Sequence, residues 1–124
     1  MAYIDFVRCA ILEDNRNKFG ESNVEEASLP ESLTSFYHWY NPVDVEVTYP
    51  NLGAVKFCPA EELAELRKNY DLPKRTFAFA TCNGDPIFLW DGIVYLSIPE
   101  QFFPEQLARG FEEFLELYVS SSNA

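Results

Sequence analysis

The stretch Thr76-Phe77-Ala78-Phe79-Ala80-Thr81-Cys82-Asn83-Gly84-Asp85-Pro86-Ile87-Phe88-Leu89-Trp90-Asp91-Gly92-Ile93-Val94-Tyr95-Leu96-Ser97-Ile98 decides the fold. Phe77, Phe79 and Thr81 alternate with smaller residues, Asn83-Gly84 breaks the run, and Ile87, Phe88, Leu89 and Trp90 resume it. Asp91-Gly92 then separates Trp90 from a further apolar run beginning at Ile93. Asn-Gly and Asp-Gly tolerate positive φ at both central positions of a type I′ turn, whose twist matches that of the strands it joins. Two such turns in succession predict a three-stranded antiparallel meander.

Working outward, Val45, Val47 and Tyr49 alternate with Asp44, Glu46 and Thr48, the period of a strand with one wet face. Pro50-Asn51-Leu52-Gly53 turns the chain into a second short strand over 54–57. Four helices are expected. The first covers 3–12, with Ile4, Val7 and Ile11 on one face. The second opens at Pro30, carries Leu33, Phe36, Tyr37 and Tyr40 on one stripe, and stops at Asn41-Pro42, because proline disfavours helical geometry in the residue before it. The third opens at Pro59, with Glu61 and Glu62 first, Arg67 and Lys68 last, and a stripe of Leu63, Leu66 and Tyr70. The last is predicted to open at Pro104, with Leu107, Phe111, Phe114, Leu115 and Tyr118 inward and Gly110 inside it at a cost of about 1 kcal/mol relative to Ala. The polar segment 13–28 reads as a surface loop, with Ser22 and Glu25 at capping-box spacing. The order predicts an α+β fold: an antiparallel sheet with a C-terminal meander, and helices packed mainly on one face.

The chain has 124 residues, the size of one domain, expected over 1–119 with a frayed tail at 120–124. With 48% hydrophobic and 16% aromatic residues, disorder is excluded as an overall description. No run approaches the ~18 apolar residues of a membrane span, and no basic leader precedes an apolar block. Cys9, Cys58 and Cys82 are odd in number, far apart and outside any C-x-x-C spacing, so inert thiols in a reducing cytoplasm are expected, with no metal and no cofactor. Nine Lys and Arg against twenty Asp and Glu give a formal charge of -11. That balance argues against a nucleic-acid or anionic-membrane partner and permits a basic protein partner, although a solvated acidic surface also serves solubility alone.

Catalytic constellations are missing from the pattern. His38 is the single histidine, and its neighbours Tyr37, Trp39 and Tyr40 suggest the rim of an aromatic helix; a hydrolase using it with a nearby carboxylate is a remote reading. Glu25-Glu26, Glu61-Glu62 and Glu112-Glu113 are adjacent pairs, and neighbours on a helix do not converge on one substrate atom. Neither a dinucleotide-binding nor a P-loop glycine pattern occurs, and the aromatics are not interleaved with cations as in a single-strand binding platform. What does stand out is large aromatic area beside negative charge: Trp39 and Tyr40 with Asp44 and Glu46, and Trp90 with Asp91, to which the hairpin acid Asp85 is added. Aromatic anchors amid polar groups are typical of protein-binding surfaces. Spacing alone leaves open that both indoles pack inward and the acids merely flank them.

Several of these pieces share a likeness. Leu29-Pro30-Glu31-Ser32-Leu33-Thr34-Ser35-Phe36-Tyr37, the hairpin from Phe77 to Trp90 with its Gly84-Asp85 turn, Asp91-Gly92-Ile93-Val94-Tyr95, and Leu107-Ala108-Arg109-Gly110-Phe111-Glu112-Glu113-Phe114-Leu115 resemble, in order and spacing, segments of the SUKH (Smi/Knr-type) superfamily. The resemblance implies an α+β fold. For bacterial members it implies an immunity role, binding and neutralising a toxin that is frequently a nuclease. A basic toxin domain is then the expected partner, met by Trp39, Tyr40, Asp44, Glu46, Asp85, Trp90 and Asp91. The alternative is a regulatory or scaffolding interaction module unrelated to toxins, as eukaryotic relatives suggest.

Overall fold

The computed structural model describes residues 3–22 and 29–122. Its seven strands are β1 (Lys18–Gly20), β2 (Asn41–Tyr49), β3 (Gly53–Phe57), β4 (Thr76–Cys82), β5 (Asp85–Trp90), β6 (Ile93–Leu96) and β7 (Glu105–Ala108). They form a single sheet in sequence order, every neighbouring pair antiparallel. The helices are α1 (Tyr3–Glu13), α2 (Glu31–Tyr40), α3 (Leu63–Asn69) and α4 (Phe111–Ser122), with a 3-10 turn, Ala60–Glu62, leading into α3. This is an α+β fold, and the meander runs through the whole sheet.

Both two-residue turns take the expected geometry. Asn83 and Gly84 have φ of 53° and 84°, Asp91 and Gly92 53° and 80°, and Cys82 pairs with Asp85 and Trp90 with Ile93 across them. Strand alternation then fixes what is buried. Val45, Val47 and Tyr49 on β2 and Val55 and Phe57 on β3 turn inward, while Asp44, Glu46, Thr48 and Lys56 face solvent. The inward side chains merge with Leu33, Phe36 and Tyr37 of α2, Leu63 of α3 and Phe111, Phe114, Leu115 and Tyr118 of α4 in one core. Its centre is a cluster of rings: Phe6 lies 5.1 Å from Phe57 and 5.4 Å from Tyr118, and Tyr49 stacks on Phe114 at 4.5 Å while its hydroxyl donates to the Phe114 carbonyl at 2.9 Å.

Six expectations are corrected. The last helix does not open at Pro104: residues from Glu105 to Ala108 pair with β6 as β7, and the helix starts at Phe111. Leu107 lies four residues before Phe111 and so extends the helical stripe on paper, but the unpaired backbone of β6 offers it hydrogen bonds that a helix there would forgo. Gly110 consequently precedes the helix, where its carbonyl accepts the first α4 bond from Phe114 N–H at 3.0 Å, and it costs no interior stability. On α1 Val7 is buried as expected, but with Phe6 and Ala10 in place of Ile4 and Ile11, because the Phe6 ring claims the core and rotates Ile11 outward. Within the segment 13–28, whose polarity suggests a loop, β1 pairs with the start of β2. Tyr70 is not part of a buried stripe; its exposed ring reaches past α3 and its hydroxyl donates to the Gly84 carbonyl at 2.6 Å. Finally, α4 continues through Ser122, with the Ser121 and Ser122 hydroxyls donating to the Tyr118 carbonyl at 2.8 and 3.1 Å. The capping-box spacing and the Glu25-Glu26 pair fall outside the described residues.

Candidate functional site

The chain passes from α2 into β2 without a loop, and this junction positions the first group of candidates. Leu33, Phe36 and Tyr37 hold one side of α2 in the core, so Trp39 is carried to the surface with 68% of its area exposed. Tyr40 is half-buried against Phe36, ring centroids 6.4 Å apart. Asn41 locks the junction from inside: its buried amide accepts from Ala60 N–H at 2.8 Å and donates to the Glu21 carbonyl and the Glu61 carboxylate at 3.2 and 3.1 Å. The exposed His38 ring meets the Trp39 ring edge-on at 4.8 Å.

Asp44 and Glu46 follow on the wet side of β2. Asp44 stands opposite Lys18 of β1, and Glu46 opposite Lys56 of β3. A shallow groove of about 280 Å³ joins both acids to Asp14, Arg16 and Asn17. Hydrogen bonds from the Arg16 guanidinium, at 2.8–3.2 Å, and from Arg16 N–H, at 2.9 Å, hold the Asp14 carboxyl down at about 2. The guanidinium is itself stabilised, first by Asp14 and then by Asp44 and Glu46. The carboxylates on this side are therefore interleaved with Lys18, Lys56 and Arg16.

The second group sits at the β5–β6 turn. Trp90 is 41% exposed and its ring lies 6.1 Å from that of Tyr95, which in turn stacks on Phe88 at 5.7 Å. Trp90, Asp91, Ile93 and Tyr95 line a groove of about 430 Å³ with Arg75 as the fifth member. Nothing in the pattern marks Arg75 as a site residue. The available signal is that four of the nine cations, Arg67, Lys68, Lys74 and Arg75, lie within 67–75, immediately before β4.

Asp85 belongs with neither group. It opens β5, whose far end carries Trp90, and six residues of strand separate the two by roughly 17 Å. The second group is three strands from β2, roughly 14 Å at the usual spacing. Asp44 and Glu46 thus share one groove and Trp90 and Asp91 another, while Trp39 and Tyr40 sit at the α2 end of β2, with roughly 17 Å of strand between Asn41 and Glu46, so the seven residues do not form one acidic patch. Asp85 instead lines a separate groove of about 510 Å³ with Leu52, Leu96, Leu107 and Glu105.

Cys9, Cys58 and Cys82 are free thiols; burial, with a lesser contribution from Glu62, pushes Cys58 up to about 11, and burial also raises Cys82, so neither is an activated nucleophile. Among the described residues no three His, Cys, Asp or Glu side chains converge as metal ligands, and no described helix is long and apolar enough to cross a membrane. Comparison with models of known protein families and with curated proteins finds no match, so the functional reading stands on the residues of this chain.

Proposed function

We propose that this chain is a non-enzymatic protein-binding domain, of the kind the SUKH resemblance implies, that neutralises a basic, nuclease-type toxin by covering it. The observation that carries the reading is the exposure of both indoles, 68% for Trp39 and 41% for Trp90, the latter in a groove it shares with Asp91. A large aromatic kept in water costs solvation free energy that a partner recovers on docking, and Trp is the residue most enriched among binding hot spots. The formal charge of -11 adds long-range attraction for a cationic partner, within a screening length of about 8 Å at physiological salt.

A second reading, a regulatory or scaffolding module unrelated to toxins, draws support from a specific observation. Asp44, Glu46 and Asp91 each have a cation nearby, respectively Lys18, Lys56 and Arg75, so the local surface is mixed in sign and the rings stand out more than the charge. Affinity capture from the native host with the unaltered chain, an Asp44→Lys/Glu46→Lys variant and a Trp39→Ala variant separates the two. Recovery of a basic toxin domain that is lost on charge reversal supports neutralisation. A partner without toxin character, lost only with Trp39→Ala, supports the module. No partner lost with either variant contradicts both.

A further inference from the structure

The seam between the β6–β7 connection and α4 carries a feature the preceding reading does not use. The groove of about 510 Å³ at the Asp85 end of the sheet has a floor of apolar side chains, among them Leu96, Ile98, Leu107 and Leu117. Its rim carries two carboxylates, Asp85 and Glu105, and not one Lys, Arg or His among its described lining residues. Ile98 and Glu105 also flank the loop 99–104, whose Phe102 and Phe103 are 92% and 74% exposed and meet edge to face at 4.9 Å. Phe102 and Phe103, held in water on a loop whose two flanking residues line the apolar trough, are exposed apolar surface of the type that marks a docking site. Glu100 adds a further exposed acid to the same loop.

The geometry points to this groove as a docking site for a cationic amphipathic segment of another protein, whose apolar side chains enter the trough and meet Phe102 and Phe103 while its Lys or Arg side chains pair with Asp85 and Glu105. Charge complementarity selects this occupant. A second copy would bring the same two carboxylates and the same excess of negative charge against themselves, which opposes self-association, and an anionic lipid surface is repelled for the same reason. The acids Asp44, Glu46 and Asp91 have cations beside them, whereas the described lining of this groove holds none, so its field is less compensated than theirs. The site is distinct from the Trp39 and Trp90 surfaces and stands or falls without them.

The test uses the full chain and a synthetic amphipathic peptide of Lys and Leu, labelled for fluorescence anisotropy. The expected result is saturable binding that weakens with salt, and that falls at least about tenfold in a Phe102→Ser/Phe103→Ser variant, the loss typical of removing aromatic anchors. That variant keeps the charge of the protein, so undiminished binding to it overturns the proposal. Equal binding of a peptide with Glu in place of Lys overturns it as well, as does concentration-dependent dimerisation abolished by the same double variant, or binding to phosphatidylcholine vesicles in preference to the peptide. Leu117→Ser, at a half-exposed position of the groove lining, is expected to weaken binding with the melting temperature retained. Trp39→Ala is expected to leave peptide binding unchanged, so failure of this groove and failure of the indole surface are read separately.

Discussion

The side-chain amide of Asn17 hydrogen-bonds to both backbone groups of Glu46, its Oδ1 accepting from the N–H at 2.9 Å and its Nδ2 donating to the carbonyl at 3.0 Å. A third bond, from Nδ2 to the Ala10 carbonyl at 2.8 Å, ties the same amide to α1. Asn17 therefore continues the sheet beyond β1 by side chain, and it fixes the point on β2 from which Glu46 projects. Replacing it with Ala removes the bond to the buried Ala10 carbonyl and both part-buried bonds to Glu46, so Asn17→Ala is expected to lower stability by about 1–3 kcal/mol in a denaturant titration. A loss below a few tenths of that range would show that water substitutes for the amide.

Acid unfolding is expected to depend on Glu13. Burial alone would raise its carboxyl, but hydrogen bonds from Thr48 N–H and hydroxyl and from the Tyr118 hydroxyl, at 3.1, 2.7 and 2.8 Å, together hold it below its ordinary value of 4.5. A carboxyl lowered on folding stabilises the folded chain above its unfolded value and ceases to do so as pH falls through the lower folded one. Melting temperature should thus decline below about pH 4.5, and the decline should be shallower in Glu13→Gln. Identical pH profiles for the two proteins would contradict the assignment.

Gly92 has open space where a Cβ would sit, yet its φ is +80°. The cost of Gly92→Ala is therefore backbone strain alone, about 1–2 kcal/mol, and calorimetry should find it without loss of the fold. Gly84, at φ +84° and equally open, should behave alike.

The two exposed indoles make an optical prediction. Tryptophan emission of the native chain should lie toward the red and be quenched by acrylamide, with Trp39, the more exposed, dominating the quenched component. Trp39→Ala should remove that component while leaving stability within ~0.5 kcal/mol of the unaltered chain, the usual range for a surface change. A blue, unquenched spectrum would place both rings in contact with other groups and remove the main support for a binding surface.

Much of the fold was legible because its decisive signals are local. Asn83-Gly84 and Asp91-Gly92 specify their turns whatever surrounds them, and α2 carries its stripe between two prolines. The failures are places where a distant partner decides. β1 is three residues long and exists through its pairing with β2, and β7 exists because β6 needs a neighbour, against a helical period that Leu107 and Phe111 happen to satisfy. On α1, Ile4 and Phe6 are both apolar, and only the ring cluster around Phe57 and Tyr118 chooses between them. The candidate residues are chosen by type, and type does not say which of them lie together. That Lys18 faces Asp44 and Lys56 faces Glu46 follows from strand register, and that Phe102 and Phe103 stay in water runs against the expectation that phenylalanine is buried.

The most direct test of the central claim, that this domain acts by contact with a basic protein, is the association rate of the chain with its captured partner as ionic strength is raised. Electrostatic attraction from a protein of formal charge -11 predicts that the rate falls steeply with salt while dissociation changes little, and that Asp44→Lys/Glu46→Lys slows association further. An association rate indifferent to salt and to both charge reversals would contradict it.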